Sequence, residues 1–185
     1  YSAVSSVFGA GLRPTLEIVC DLSPERAADR AADLGFDRYT DQWQKLIDDP
    51  GVELISICAP NALHRDMSVA ALEAGKHVWC EKPMAMSLTD AEDMVTAARS
   101  SSRKTIVGYN YIKNPAVTHA QRLISDGKIG RVTGFHGRYD VDNEADENQP
   151  YSWRLSRERS GTGAIADILS HLLSVAHFIT DSEVS

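Results

Sequence analysis

The sequence predicts an α/β protein: a doubly wound parallel sheet followed by the start of an open-sheet α+β unit. Three observations carry this. Short apolar runs, LEIVC at 16–20, LISIC at 54–58, HVWC at 77–80 and KTIVGY at 104–109, alternate with amphipathic stretches. These runs are continuous rather than alternating, as in strands of a parallel sheet covered on both faces. After Tyr111 the alternation gives way to a longer and more polar pattern.

Each element has local chemistry to define it. After the strand at 16–20, Ser23 supplies an N-cap and Pro24 a first-turn proline, and Gly35 stops the Ala-rich helix between them. The strand at 54–58 leads to a helix over 63–74, ended by Gly75. The strand at 77–80 is followed by CEKPMAMS (80–87), and Thr89-x-x-Glu92 has capping-box spacing for a helix to 99. Ser100–Ser102 forms a loop before the strand at 104–109. In the second unit, Asn114-Pro115 opens a helix to 125, 131–141 reads as a long strand, and 140–149 is a loop of acids and amides. A polar segment at 153–163 leads to an apolar helix over 164–179. The division predicted is a dinucleotide-binding unit at 1–111 and the beginning of a substrate and oligomerisation unit at 112–185.

Composition narrows the function. The 185 residues are 43% hydrophobic and 24% charged, with a net charge of −7. That acidic balance, without a dense Lys/Arg cluster, argues against nucleic acid. No uninterrupted apolar run approaches the roughly 20 residues of a membrane helix. The partner expected is a small molecule. Cys20, Cys58 and Cys80 lack metal or disulfide spacing and read as free thiols of a cytoplasmic protein. The acids at 140, 142, 144, 146 and 147 lack the glycine and terminal glutamate of a calcium loop, so no metal is expected.

In open parallel sheets, ligands bind beyond the carboxyl ends of the strands. That rule marks Asp21, Ala59-Pro60-Asn61, Glu81-Lys82-Pro83 and Tyr109-Asn110. A dinucleotide fold carries an acid about 20 residues after its phosphate-binding glycines, to hold ribose hydroxyls. Asp21 suits that acid and favours NAD over NADP, with NADP still open. Gly9-Ala10-Gly11 follows no strand and has Pro14 at the third glycine position, so it reads as a turn. The fingerprint and the first strand are expected to lie before Tyr1, with 1–8 ending the first helix. The unfinished second unit suggests a C-terminal truncation too.

Two side-chain groups point to chemistry. Lys82 follows a buried strand and can donate to a substrate hydroxyl and a ribose hydroxyl. Pro83 restricts its backbone and allows a cis Lys82–Pro83 bond. For E-K-P alone a solvated lysine in a rigid turn is the better account, and the strand-end position brings the two readings level. In GAIADILSHLLSVAHFI, Asp167, His171 and Ser174 fall at i, i+4 and i+7, on one face of an apolar helix. A carboxylate one turn from an imidazole can orient it as a general base, although a self-satisfied buried pair would look the same. His177 is off this face. Asn61 and His64 are placed for cofactor contact, with Asn61 also suited to cap a helix. Trp153-Arg154 reads as a substrate wall or as packing with a snorkelling arginine.

Together these residues resemble the Gfo/Idh/MocA oxidoreductase family. The resemblance rests on APNALH (59–64), ALEAGKHVWCEKPMA (71–85), GYNYIKNPA (108–116), DGKIGRV (126–132) and GTGAIADILSHLL (161–173). It is nearer the branch acting on sugars and polyols, such as inositol and levoglucosan dehydrogenases, than biliverdin reductases. The resemblance implies a Rossmann domain with NAD, or NADP, followed by an open-faced sheet that forms the substrate pocket and a homo-oligomer. It implies that Lys82 lies between nicotinamide and substrate, that Asp167 orients the reacting carbinol, and that His171 takes the hydroxyl proton. Asn61, His64, Glu81 and Asn110 would line the cofactor cleft. Lys113 stands where many relatives carry arginine. The activity implied is hydride transfer between a sugar or cyclic polyol and NAD(P). An oxidise–eliminate–reduce cycle on glycosides or sugars, and a non-enzymatic dinucleotide-binding regulator, are the alternatives.

Overall fold

A computed structural model of the chain describes residues 14–142, 146, 148, 150, 152–161, 163 and 165–182. The readings of 1–8 and of Gly9-Ala10-Gly11 lie outside the described residues, as do parts of the acidic loop.

The predicted alternation is present, in two parallel ladders. Strands β1 (Ile18–Cys20) and β2 (Arg38–Thr40) form one, with Ile18 beside Arg38. Strands β3 (Leu54–Ile57), β4 (His77–Cys80) and β5 (Thr105–Val107) form the other, in that order. Set against the order 3-2-1-4-5-6 of a dinucleotide-binding sheet, β2–β1 takes positions 3-2 and β3–β4–β5 takes 4-5-6.

The caps explain the helices. In α1 (Pro24–Leu34), Ser23 Oγ accepts from Arg26 N at 3.3 Å, and Gly35 ends the helix at φ 78°. A 3-10 turn over Asn61–Leu63 leads into α3 (His64–Glu73). Helix α4 (Leu88–Ser100) starts earlier than its capping-box spacing predicts. Ser87 is the N-cap and accepts from Asp90 N at 3.1 Å, so Thr89 falls inside the first turn. Asn114 caps α5 (Pro115–Ser125) through a bond from Ala116 N at 2.9 Å. Strand β2 and the short α2 (Gln44–Asp48) gave no sequence signal. Three residues with Arg38 among them lack an apolar run, and ion pairs to Glu17 and Asp49 hold that strand instead.

The core joins Ile55 and Ile57 of β3, Val78 and Cys80 of β4, Ala71 and Leu72 of α3, and Met94 of α4. The opposite face of the sheet carries Leu54, Trp79 and Ile106, all exposed among the described residues. The continuous apolar runs therefore meet helices on one side only here.

Two predictions for the second unit are corrected. Residues 131–141 form no strand, because a strand is held by a ladder to a neighbour and none runs beside it among the described residues. The helix predicted over 164–179 is a π-helical turn, Ile165–Leu169, running into α7 (Ser170–Thr180). A four-residue helix, α6 (Arg157–Ser160), precedes it. The stretch Arg157–Thr180 is long and apolar enough, by length and composition, to cross a membrane. Here it packs α7 on α5 and sends Asp167 into an ion pair.

Candidate active site

Lys82 is aimed across the molecule, and the turn after β4 does the aiming. The Lys82–Pro83 peptide is cis. The Nζ of Lys82 donates to the backbone carbonyl of Asp167 at 2.8 Å and forms an ion pair with its carboxylate. Both side chains are largely sheltered, 16% and 30% exposed, so the pair is screened less than a surface one. Arg154 brings its Nε to 3.8 Å from the other Asp167 oxygen and stacks over the Trp153 ring at 4.8 Å.

The predicted Asp167–His171 couple is therefore not made. Asp167 is committed to Lys82 and Arg154, and among the described residues the buried Nδ1 of His171 has no partner. The reason is helical geometry: the i, i+4 alignment assumes an α-turn, whereas Asp167 sits in a π-turn with wider i→i+5 spacing. Ser174, the third member of the stripe, turns back to donate to the His171 carbonyl at 2.8 Å.

His171 is buried on the first turn of α7. Burial holds its imidazole below the ordinary histidine range, and the Lys82 ammonium adds to that, against the opposing charges of Asp167 and Glu81. A neutral imidazole beside a held ammonium can accept a hydroxyl proton while the lysine donates to the same oxygen.

The cofactor-side residues divide. His64 is fully buried, with Nδ1 and Nε2 each 2.9 Å from a carbonyl oxygen, those of Pro83 and Ala59. It has no surface to offer a ligand, so its placement as a cofactor contact is corrected: it ties the segment after β3 to the turn carrying Lys82. Asn61 is also buried, and its amide donates to the Ser160 carbonyl at 3.0 Å, joining the strand edge to α6. Pro60 and Glu81 are half-buried at the strand ends, and Asn110 is exposed. Gly108 makes room for Glu81, since a Cβ there would stand 2.8 Å from its carboxylate. Asp21 ends β1 as predicted, accepts from Leu22 N at 2.6 Å, and pairs with Arg26 at 3.1 Å and Arg30 at 3.8 Å. Lys113 is exposed on the 3-10 turn Asn110–Lys113.

Tyr109, marked at its strand end, and two residues that the sequence reading missed, Tyr111 and Tyr139, surround His171 with their rings. The Y-x-Y spacing just past β5 was the available signal for Tyr111. A cleft of about 660 Å³ lies along Tyr109, Leu173 and Phe178 and is lined by neither Lys82 nor Asp167. No group of metal-ligating side chains occurs among the described residues.

Parallel strands ending at a shared polar edge, with a lysine held by an acid of a second unit, define a Rossmann-type α/β protein with a built site. The family described as "Oxidoreductase family, NAD-binding Rossmann fold" (GFO_IDH_MocA) matches residues 6–109, and the GFO/IDH/MocA C-terminal domain matches 117–185. The chain belongs to the Gfo/Idh/MocA oxidoreductase family. It is 37% identical over 180 residues to levoglucosan dehydrogenase of Pseudarthrobacter phenanthrenivorans, covering 97% of this chain and 46% of that protein. It is 36% identical over 168 residues to 1,5-anhydro-D-fructose reductase of Ensifer adhaerens, covering 87% and 47%. A structure of levoglucosan dehydrogenase with NADH and levoglucosan superposes with a TM-score of 0.92 at 36% identity, covering 96% of this chain and 48% of that one. The chain thus spans about half the length of the curated relatives it matches.

Proposed function

We propose that the whole protein is an NAD-dependent dehydrogenase that oxidises a carbinol of a sugar or cyclic polyol. The observation that carries this reading is the gathering of Lys82, Asp167 and His171 at the strand edge, where Lys82 and Asp167 meet across 85 positions of sequence. The donor set suits a nicotinamide dinucleotide. Asp21 offers a carboxylate at the end of β1 for ribose hydroxyls, and Glu81 and Asn110 line the same edge.

When bound, the nicotinamide supplies a hydride acceptor. The chain's own residues do the rest. Lys82 donates a hydrogen bond to the reacting hydroxyl oxygen, and Asp167 fixes where that ammonium points. His171 accepts the hydroxyl proton, which it can do because burial keeps it neutral. Arg154 and Trp153 stand beside Asp167 as the substrate wall.

The test is a screen of the full-length protein against anhydrosugars, aldoses and inositols with NAD and NADP, read by absorbance of the reduced cofactor. Lys82→Ala and His171→Ala are each expected to lower kcat by about 10²–10⁴-fold. Turnover unchanged in both would overturn the role assignments. Product formed without stoichiometric NADH would replace this reading with the oxidise–eliminate–reduce cycle, and cofactor binding without turnover would replace it with a regulatory protein.

A further inference from the structure

With Asp167 engaged elsewhere, His171 is held by rings. Tyr111 stands 4.6 Å away at 78°, Tyr109 6.1 Å at 86°, and Tyr139 6.1 Å at 39°. They come from two separate segments, the turn after β5 and the ladderless stretch at 131–142. Tyr139 is the one residue of 131–142 that is not exposed. Its hydroxyl bonds that of Tyr111. Gly137, two residues earlier, lets this stretch lie against Leu172, next to His171; a Cβ there would stand 2.5 Å from Leu172 Cδ1. An extended segment with no ladder is thus anchored where it walls the imidazole.

We propose that Tyr109, Tyr111 and Tyr139 are positioning residues for His171, an aromatic cage that fixes the imidazole and keeps water from it, with Tyr111 as its nearest wall. The proposal rests on the reading of His171 as the base and adds what sets its working range. The edge-on rings of Tyr109 and Tyr111 hold the imidazole without supplying a strong acceptor, which agrees with its Nδ1 having no partner among the described residues. Burial is the largest cause of the lowered His171 pKa. The charged groups acting on the ring are Lys82 and Glu81 from the β4 turn and Asp167 from the π-turn. All three remain in the variants below, so a change on altering a tyrosine belongs to the cage.

The experiment is an NMR titration of the His171 ring in the full-length protein, without substrate, for wild type, Tyr111→Phe and Tyr111→Ala. The ring, not the hydroxyl, does the excluding. Tyr111→Phe is therefore expected to keep the wild-type midpoint, and Tyr111→Ala to raise it toward that of free histidine. The acid limb of kcat/KM should move to higher pH with it. An unmoved midpoint in Tyr111→Ala overturns the proposal, and so does an equal shift in Tyr111→Phe. If Tyr111→Ala does not fold, Tyr139→Ala replaces it and should shift the midpoint the same way but less; no shift there overturns the proposal. A shifted midpoint in a protein that turns over no sugar would support the cage and sink the dehydrogenase reading.

Discussion

The strand edge and the helix facing it treat their buried polar groups in opposite ways. At the strand edge, His64 has both nitrogens on backbone carbonyls and Asn61 gives its amide to Ser160. On the helix, Asp167 sits in a π-turn shared by two cations, and His171 keeps a buried nitrogen without a partner among the described residues. A group tied to the backbone in this way is rigid and positions others. A buried nitrogen without a partner, such as His171 Nδ1 among the described residues, keeps its capacity to bond. On the reading proposed above, the strand edge is scaffold and the helix carries the chemistry.

Three substitutions and one labelling experiment would break or sharpen that contrast. The largest effect is expected from Asp167→Asn in the full-length protein. It removes the charge that holds Lys82, and kcat should fall about 10²-fold or more with little loss of folding. Equal losses in stability and rate would place Asp167 with the scaffold. Next is His64→Ala, which empties a buried site and removes the hydrogen bond that a ring N–H donates to one of the two carbonyls. It should cost about 2–4 kcal/mol in chemical denaturation, and a variant as stable as wild type would remove His64 from the scaffold. Third, Asp21→Ala frees Arg26 and Arg30 and should raise NADP use relative to NAD several-fold in kcat/KM. An unchanged ratio would take Asp21 out of the cofactor site. The smallest effect concerns thiols. Burial pushes Cys80 up to about 11, whereas Cys58 is exposed. At pH 8, alkylation followed by mass spectrometry should modify Cys58 first and leave Cys80 intact until unfolding.

The pH dependence follows from the same contrast. The folded pKa of His171 lies below its unfolded value, so the unfolded chain binds more protons as pH falls through the ordinary histidine range. The contribution of His171 to stability is therefore fully present above about pH 6.5 and is lost as pH drops toward the lower folded value. Urea midpoints of wild type and His171→Asn, compared between pH 7.5 and 5, should converge at the acid end.

Much of the scaffold was legible because it is local. The caps at Ser23 and Asn114 and the stops at Gly35 and Gly75 need only a few neighbouring residues to act. The errors fell where a non-local choice intervened. Ser87 took the cap that Thr89-x-x-Glu92 resembles. Residues 131–141 have a strand's composition but no neighbouring strand among the described residues. The three-residue β2 is held by ion pairs of Arg38 rather than by an apolar run.

Periodicity and turn chemistry alone determined the parallel α/β plan, the strand-end position of Lys82 and Asp21, and the presence of a second polar group on a late apolar helix. Tertiary structure decided which of these groups meet. The π-turn moved Asp167 off His171 and onto Lys82, burial took His64 away from any ligand, and three tyrosines distant in sequence closed on the imidazole. The physical reason is one of range. Capping and amphipathic periodicity act over one or two helical turns, whereas ion pairing, desolvation and ring contact depend on segments that only packing brings together.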